Sequence, residues 1–343
     1  MIEKKELKGQ DKKDKVLITG ITGFAGSHLA DLLLSMGNSE IYGLKQWNLT
    51  RMRNTHHIAH KINWVECDIT DPISVRNIMK EINPDKIYHL AAESAVAPSW
   101  EHPTHYMKVN YDGTVNFLDA MKEMGSKARF LIPGSGEEYG EIMEDELPID
   151  EKTILRPVNP YSVTKIAQDL IGYVYFRSYG LNIIRTRAFN HEGPRRDNFF
   201  GISSYAYQVA KIEQGKQESI IKVGNTDDKR NFTHIEDLVK AYYQAMEKCN
   251  PGELYVIGSE DESHVHTFRE VLHKLIDISK IKDKDSVKIV TEPKYVRPTN
   301  VPRLIGNAQK FRELTGWKPE IPFNQILEDT LDYWRDFVKR DLY

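Results

Sequence analysis

The chain has 343 residues with 47 basic and 50 acidic side chains and a formal net charge of −3, and this balance excludes a general electrostatic attraction to nucleic acid or an anionic membrane. Its length exceeds what one hydrophobic core usually supports, which predicts a large domain and a smaller one. Two cysteines, no membrane-length apolar run and no signal-peptide core predict a cytoplasmic protein without a disulfide framework.

Residues 1–14 mix lysines and acids with almost no apolar side chains, which predicts a mobile extension. The next stretch, VLITGITGFAGSHLADLLL over residues 16–34, has the pattern of a buried strand, a tight turn and a helix. Gly20, Gly23 and Gly26 permit positive φ and close approach of a phosphate, and the helix start offers unpaired N–H groups. This spacing predicts a dinucleotide pyrophosphate site, although an ordinary strand-to-helix turn is the alternative.

A second strand is predicted over residues 40–44, and the residues after it bear on the cofactor. Folds that bind NAD usually place an acid at this strand end to accept the ribose hydroxyls. Here the strand leads into Lys45 and then Arg51 and Arg53. These cations favour the 2′-phosphate of NADP over NAD, with a charged surface loop as the alternative.

Three histidines, His56, His57 and His60, have a spacing that resembles a metal site, since a helix would place His56 and His60 on one face. A structural or catalytic metal requires a complete ligand set. The neighbouring sequence supplies no carboxylate or cysteine cluster. We therefore expect no metal.

Further strands are predicted over residues 62–67, 85–92, 128–133 and 182–188, separated by helices that include residues 103–124. Strands alternating with helices at this spacing predict an α/β fold with a doubly wound parallel sheet. Asp68 follows the third strand, where it would cap a helix start or contact an adenine. Ligands bind such sheets at the carboxyl ends of the strands.

Tyr161 and Lys165 stand four residues apart at the head of a predicted helix, so their side chains share one face. A tyrosine with a pKa of about 10 needs a stabilised phenolate to act as a base near neutral pH, and an adjacent ammonium supplies part of that stabilisation. Tyr207 and Lys211 have the same spacing, but an amphipathic helix explains them. Only Tyr161 follows a strand end with a hydroxyl, Ser135, downstream of the glycine turn.

These motifs together resemble the extended short-chain dehydrogenase/reductases, specifically the GDP-mannose 4,6-dehydratases and their GDP-sugar relatives. The resemblance runs from about Lys15 to the C-terminus and implies a Rossmann-like large domain with a smaller mixed α/β domain. Its motifs are TGITGFAGSHLADLLL, LAAESAV, the Ser135, Tyr161 and Lys165 set with PYSVTK, NHEGPRR, RNFTHIEDLVKA, and VRPTNVPRLIGNAQKFRELTGWKP, where the family commonly has R-P-x-[DE]-V.

Glu137 bears on the reaction, because the resemblance places it where dehydratases carry a glutamate that handles the C5 proton. The related GDP-4-keto-6-deoxy-mannose reductases have Asp there, and epimerases have no acid. A solvated glutamate beside Glu138 is the alternative. Three departures bear on the sugar substrate: Ser135 replaces the usual Thr, Glu138 extends the usual single acid, and Asn300 replaces an acid.

The resemblance implies a lyase that makes a 4-keto-6-deoxy sugar by internal hydride transfer through a bound nicotinamide. Tyr161, assisted by Lys165 and Ser135, would remove the C4 hydroxyl proton, and Glu137 would take the C5 proton and help water leave from C6. The alternatives are an NADP-dependent GDP-4-keto-sugar reductase, an epimerase and a non-catalytic nucleotide sensor. The substrate is expected to be GDP-mannose or GDP-manno-heptose, and the assembly a homodimer or homotetramer.

The predicted domains are residues 15–189 with 235–258 for the dinucleotide and residues 190–234 with 259–343 for the nucleotide sugar. Guanidinium groups pair well with phosphate oxygens, so arginines of the second unit are candidates for the diphosphate. The expected cofactor contacts are Gly20, Thr22, Gly23, Phe24, Ala25, Gly26, Lys45, Arg51, Asp68, Ile69, Leu90, Ala91, Ala92, Ser94, Tyr161 and Lys165. The expected substrate contacts are Glu93, Ser94, Asn190, Arg195, Arg196, Lys222, Arg230 and Arg303.

Overall fold

The structure, a computed structural model, describes residues 13–47 and 50–340. The strands are β1 (Asp14–Thr19), β2 (Ser39–Lys45), β3 (Asn63–Glu66), β4 (Lys86–His89), β5 (Arg129–Ser135), β6 (Ile183–Ala188), β7 (His191–Glu192), β8 (Ile220–Val223), β9 (Lys229–Asn231), β10 (Thr233–His234), β11 (Leu254–Ile257), β12 (Val265–Thr267), β13 (Lys288–Thr291) and β14 (Arg303–Leu304). The helices are α1 (Phe24–Met36), α2 (Pro72–Ile82), α3 (Pro103–Met107), α4 (Gly113–Met124), α5 (Pro160–Tyr179), α6 (Gly201–Glu213), α7 (Ile235–Lys248), α8 (Phe268–Asp277), α9 (Gln309–Thr315) and α10 (Phe323–Arg340).

A seven-stranded sheet with the order β11-β6-β5-β4-β1-β2-β3 forms the centre of the large domain. Its strand pairs are parallel, and the direction of winding reverses between β1 and β4. In such sheets a crevice opens beyond the carboxyl ends of the strands at this reversal. The predicted doubly wound sheet is confirmed, and the glycine turn after β1 lies at the crevice.

Helices cover both faces of this sheet, which accounts for the continuous apolar pattern of its strands. On one face α1 and α7 bury Leu33, Leu238 and Ala245. On the other face α2 and α4 bury Ile78 and Phe117 against the strands, beside α5. All six residues of β6 are buried.

Two element boundaries differ from the sequence expectation. β1 begins at Asp14, whose carboxylate lies 2.9 Å from Lys86 Nζ, so only residues 1–13 of the predicted extension precede the sheet, and residues 1–12 lie outside the described part. The predicted helix over residues 103–124 contains a π-helical turn at Lys108–Asp112. That turn presents the Asn110 amide to the backbone of Glu93, with hydrogen bonds of 2.8 and 3.0 Å.

The smaller unit packs α6, α8 and α10 around an apolar cluster that includes Trp334, Phe232 and Leu272. Short sheets with the orders β12-β9-β14 and β13-β8 lie beside these helices. α9 departs from the predicted boundary, because Phe311 and the following Trp317 pack in the core of the large domain. Residues 308–317 therefore lie with the large domain in space.

None of the helices in residues 13–47 and 50–340 is both long and apolar enough to cross a membrane. Within the same residues, no group of histidine, cysteine and acidic side chains has the arrangement of a metal site. His57 instead lies 2.8 Å from the Asp31 carboxylate of α1.

Candidate active site

The turn between β1 and α1 has a close backbone packing that only glycine allows. Gly20 has a φ of +65°, and a Cβ there would lie 2.7 Å from Ala91 N. A Cβ on Gly26 would lie 2.3 Å from Gly20 O. α1 starts after Gly23 without a side-chain cap, so its first N–H groups are open to an anion. These features fit a dinucleotide pyrophosphate.

The predicted adenosine end of the cofactor site is partly engaged by other side chains. Lys45 Nζ lies 3.2 Å from a Glu66 carboxylate oxygen, a partner that the sequence pattern did not reveal. Arg51 is exposed, and the neighbouring Arg53 guanidinium lies 5.0 Å from the centre of the Phe337 ring. Asp68 accepts hydrogen bonds of 2.9 Å from the backbone and hydroxyl of Thr70, so it caps its own turn.

The other expected cofactor contacts border the crevice through the ends of β1, β3 and β4. Ala91 N donates to Thr19 Oγ1 at 2.9 Å, which ties the segment Leu90–Ala92 to the glycine turn. Thr22 O accepts from Asn54 Nδ2 at 3.2 Å. Ile69 packs against Gly113 of α4, and Ser94 is exposed. Phe24 and Ala25 form the first turn of α1.

The catalytic turn, which we define as Ser135–Glu137, begins at the last residue of β5 and faces the start of α5. The Ser135 hydroxyl is hydrogen-bonded to the Tyr161 phenol and accepts from Glu137 N at 3.2 Å. Asn159, the N-cap of α5, accepts from Ser162 N at 2.8 Å and donates from Nδ2 to Glu137 Oε2 at 3.3 Å. The structure therefore brings the predicted hydroxyl, phenol and carboxylate together.

Lys165 lies one turn after Tyr161 on α5, but its ammonium donates to Gln168 Oε1. Gln168 Nε2 donates to Thr114 Oγ1 at 2.7 Å, and His89 Nε2 lies 3.1 Å from the same oxygen. Because the Thr114 hydroxyl donates to Asn110 O at 2.7 Å, this oxygen accepts from both nitrogens. The chain of hydrogen bonds orients Lys165.

The same chain continues to the glycine turn, since His89 Nδ1 lies 3.1 Å from Thr19 Oγ1 at the end of β1. Burial lowers the pKa of His89 to about 3, with a further lowering by Lys165, so the imidazole is neutral near pH 7. Burial also lowers the pKa of Lys165 and raises that of Tyr161, whose hydrogen bond to Ser135 opposes the rise. The free protein thus holds Tyr161 as a phenol.

A small cleft in front of Glu137 contains the strongest candidates for diphosphate contact. Arg230 is 3% exposed, and both Glu137 and Asp228 raise its pKa against the lowering caused by burial. Arg297, which is not among the expected substrate contacts, lines the same cleft. The R-P pair of VRPTNVP was the available signal for it. The cleft is lined by Val96, Trp100, Glu137, Val158, Asn159, Arg230, Arg297, Thr299, Asn300 and Val301.

Two of the expected phosphate-binding arginines, Arg195 and Arg196, are engaged elsewhere. Arg195 has a φ of +71°, and its guanidinium donates to the Asp31 carboxylate of α1 at 2.7 Å. Arg196 lies 3.4 Å from a carboxylate oxygen of Glu192 and 3.9 Å from the centre of the Phe200 ring. Neither residue lines the cleft that Glu137 and Arg230 share.

The remaining expected substrate contacts are dispersed. Lys222 Nζ lies 3.2 Å from a Glu292 carboxylate, and Arg303 donates to the Glu144 carboxylate at 2.7 Å. Asn190 O accepts from the backbone of Thr233 at 3.0 Å. The Glu93 carboxylate lies 3.3 Å from His105 Nε2. The structure joins Arg230 to the catalytic turn but does not bring these residues to it.

The second tyrosine–lysine pair lies in the smaller unit, within α6. Lys211 Nζ lies 5.4 Å from the centre of the Tyr207 ring, and that ring packs 4.9 Å from Trp334 of α10. An amphipathic helix explains this pair, as the sequence pattern indicates.

A family model for GDP-mannose 4,6 dehydratase matches residues 17–330. The chain belongs to the GDP-mannose 4,6-dehydratase family. It is 31% identical to the GDP-6-deoxy-D-mannose reductase of Pseudomonas aeruginosa over 327 residues, covering 95% of this chain and 99% of that protein. It is 31% identical to the GDP-mannose 4,6-dehydratase of Yersinia enterocolitica over 344 residues, covering 91% of each chain. The predicted family is therefore confirmed.

Solved structures agree with this membership. The structure of RMD from Pseudomonas aeruginosa complexed with NADPH superimposes with a TM-score of 0.79 at 29% identity, covering 94% of this chain and 99% of that one. Dehydratases and a reductase of GDP-sugars thus resemble this chain to a similar degree. Overall similarity does not separate the dehydratase from the reductase reaction. The reaction must therefore be inferred from the side chains at the site.

Proposed function

We propose that this protein is a GDP-mannose 4,6-dehydratase, a hydro-lyase that forms the 4-keto-6-deoxy sugar. The observation that carries the proposal is the position of Glu137. Its carboxylate lies in the cleft with Arg230 and Arg297 and is hydrogen-bonded to Asn159, while its turn also carries Ser135. A carboxylate beside a phenol and a hydroxyl provides separate groups for an O–H proton and a C–H proton.

NADP is the proposed cofactor, with NAD as the alternative. The glycine turn would hold the pyrophosphate, and Lys45 and Arg51 would lie toward the 2′-phosphate. The Glu66 carboxylate beside Lys45 weakens the positive charge there, so the preference depends on Arg51 as well. NADP, when bound, supplies reversible two-electron oxidation at C4 and reduction at C6. Extraction of purified protein should yield NADP(H), and NAD(H) alone would contradict this assignment.

The protein's own groups would then divide the proton transfers. Tyr161, a phenol in the free protein, must first lose its proton, and as a phenolate it takes the C4 hydroxyl proton. The Ser135 hydroxyl supports this phenolate, and Lys165 supplies positive charge nearby. A ketone at C4 acidifies the C5 proton, which Glu137 removes. The protonated Glu137 then assists departure of the C6 hydroxyl as water. After reduction at C6, Tyr161 returns its proton to C5, which completes the proton balance. Arg230 and Arg297, which line the cleft together with Glu137, hold the diphosphate.

The alternative is an NADP-dependent GDP-4-keto-sugar reductase or epimerase, and the identity to the Pseudomonas reductase favours keeping it. Incubation with GDP-mannose and no added NADPH separates them, because a dehydratase accumulates 4-keto-6-deoxy product without consuming external reductant. A reductase or a nucleotide sensor gives no such product. GDP-manno-heptose in a parallel reaction tests the longer sugar, with both products identified by mass spectrometry.

We further propose a homodimer or homotetramer in the cytoplasm. α5 has an exposed apolar stripe, with Val163, Leu170 and Val174 each 46–48% exposed. Residues spaced in this way share one helix face, and exposed apolar surface favours association. Both cysteines are free, as a reducing compartment allows. Leu170→Lys should shift sedimentation toward the monomer, and a wild type that already sediments as a monomer would contradict the assembly.

A further inference from the structure

Glu138 follows the acid of the catalytic turn but occupies a different environment. It is 0% exposed, and its two carboxylate oxygens have separate partners. Oε1 accepts from Ser135 N at 2.7 Å, and Oε2 accepts from Arg187 Nε at 2.7 Å. Together with the bond from Glu137 N to Ser135 Oγ, this forms a reciprocal cap on the turn.

Close packing leaves little freedom to this carboxylate. A Cβ on Gly134, the residue before the turn, would lie 2.4 Å from Glu138 Oε1 and 2.5 Å from Thr186 O. The carboxylate therefore lies directly against the backbone of β5 and beside β6. Displacement of the Glu138 carboxylate would remove the acceptor of Ser135 N.

A buried charge network, which we define as Glu138, Asp169, Arg185 and Arg187, connects this carboxylate to α5. Arg187 Nη2 donates to Asp169 Oδ2, and Arg185 Nη1 donates to Asp169 Oδ1 at 2.8 Å. Asp169 lies one helical turn after Lys165 on α5. Two acids and two arginines balance in charge, and such groups tolerate burial only while paired.

Resting on the function proposed above, we propose that the Glu138 carboxylate is a positioning group that fixes the catalytic turn against α5. It sets the separation between Glu137 and Tyr161, the groups for the C–H and O–H protons. It also contributes negative charge near the buried Lys165 ammonium, whose pKa it raises against the lowering by burial. Misplacement of reacting groups by about 1 Å costs on the order of 100-fold in rate.

The test compares Glu138→Gln with the double variant Glu138→Leu/Arg187→Met. The first keeps an acceptor for Ser135 N but leaves Arg187 with the Asp169 carboxylate alone. The second removes both members of the Glu138–Arg187 pair and leaves Asp169 paired with Arg185, so part of the stability lost in the single variant should return, although Ser135 N loses its acceptor. The matched control is Glu213→Gln, which breaks the partly buried pair with Arg335 in the smaller unit, at 2.6 Å, far in the chain from the turn.

We expect Glu138→Gln to lower kcat on the order of 100-fold per folded molecule, with the dissociation constants of GDP and NADP within about twofold of wild type. The double variant should regain thermal stability without regaining kcat. Glu213→Gln should lose stability and keep kcat. Recovery of kcat together with stability in the double variant would overturn the positioning role, because a purely structural group behaves that way.

Failure of the proposed function is recognised separately. If the wild type makes no product from GDP-sugars, the proposed dehydratase function is wrong. Crystallography of the variants still tests whether Glu138 positions the catalytic turn. In the double variant the Ser135–Glu137 backbone should shift relative to Tyr161, whereas in Glu213→Gln it should superimpose on the wild type. An unshifted turn in the double variant would overturn the placement itself.

Discussion

At the scale of single residues, the site separates two kinds of group by their surroundings. Tyr161 is 8% exposed and bonded to Ser135, whereas Glu137 is only partly buried and faces the cleft beside Arg230. An environment that differs between two titratable groups is the usual basis for dividing acid and base roles. Each role can therefore be removed on its own.

Tyr161→Phe should lower turnover by about 10²- to 10⁴-fold, since it removes one hydroxyl that handles the C4 proton. Cofactor binding and thermal stability should change little because the ring keeps its packing. The measurement is product formation from GDP-mannose, followed by mass spectrometry. Tyr207→Phe is the matched control. An equal loss of turnover in that variant would show that Tyr161 was wrongly chosen as the base.

Glu137→Gln should stop elimination while leaving oxidation at C4, because the amide keeps the shape but removes the base. Reduction with borodeuteride should give hexoses that retain the C6 hydroxyl and carry deuterium at C4, which marks the 4-keto intermediate, with no solvent deuterium at C5. Normal dehydration by this variant would show that Glu137 is not the base that removes the C5 proton.

The control for that experiment is Glu141→Gln, an exposed acid shortly after the turn. From the sequence alone, Glu137 and Glu138 would lie in an extended segment, where neighbouring side chains point to opposite sides. Glu138→Gln would then be harmless and would serve as the control. The structure corrects this expectation. The segment is a 3₁₀ turn, and Glu138 does point away from Glu137, but into a buried ion pair. Glu138→Gln is therefore expected to be damaging.

At the scale of elements, the turn between β1 and α1 is limited by contacts of its own backbone. Gly26→Ala should weaken NADP binding strongly, because the new Cβ would lie 2.3 Å from Gly20 O and must displace the turn. Gly37→Ala is the control. Gly37 also needs a left-handed backbone, with φ +72°, but nothing lies within 4 Å of its Cβ position.

Gly37→Ala should therefore cost about 1 kcal/mol of stability from backbone strain and leave the cofactor affinity unchanged. The two affinities can be measured by isothermal titration with NADP, and the two stabilities by denaturant unfolding. Equal cofactor affinities in both variants would show that the turn does not hold the pyrophosphate.

At the scale of the whole molecule, buried histidines link stability to pH. Burial lowers the pKa of His28 to about 4 from 6.5, with a further lowering by Arg195. The unfolded chain thus binds a proton between pH 6.5 and 4 that the folded chain does not bind. The free energy of unfolding should fall as pH decreases through this window, by about 1.4 kcal/mol per unit for this group.

His28→Gln should reduce that slope, since it removes the titrating group and keeps an N–H donor for Pro194 O, which His28 Nε2 contacts at 2.9 Å. Urea unfolding at several pH values measures the slope. An unchanged slope would show that His28 is protonated in the folded state.

The periodic parts of the fold were predictable from sequence because they depend on local order. The alternation of strands and helices predicted the sheet, and Asp71, Gly37 and Gly180 cap helices as their types indicate. The boundary at α9 was not predictable. Phe311 and Trp317 form an ordinary apolar pattern whose packing partner is decided only in three dimensions.

The residues of the site likewise divide into those that could be predicted from the sequence and those that could not. Ser135, Glu137 and Tyr161 could be found because strand ends and helix starts converge at one edge of the sheet. The pairing of Arg195 with Asp31, and of Lys45 with Glu66, could not be found, since it joins residues far apart in the chain or on adjacent strands. Arg297 was detectable only through its motif.

The chain passes repeatedly between its two units. After β6 it enters the smaller unit at α6, and it returns to the large sheet with α7 and β11. It leaves the large domain again at α8 and returns to it at α9. Neither unit is a continuous segment of the chain, so neither can be removed or exchanged as one piece of sequence. A single proteolytic nick would leave both halves interlocked rather than release a domain. New sugar specificity in such an architecture must arise by substitutions around the cleft, not by recombination of whole modules.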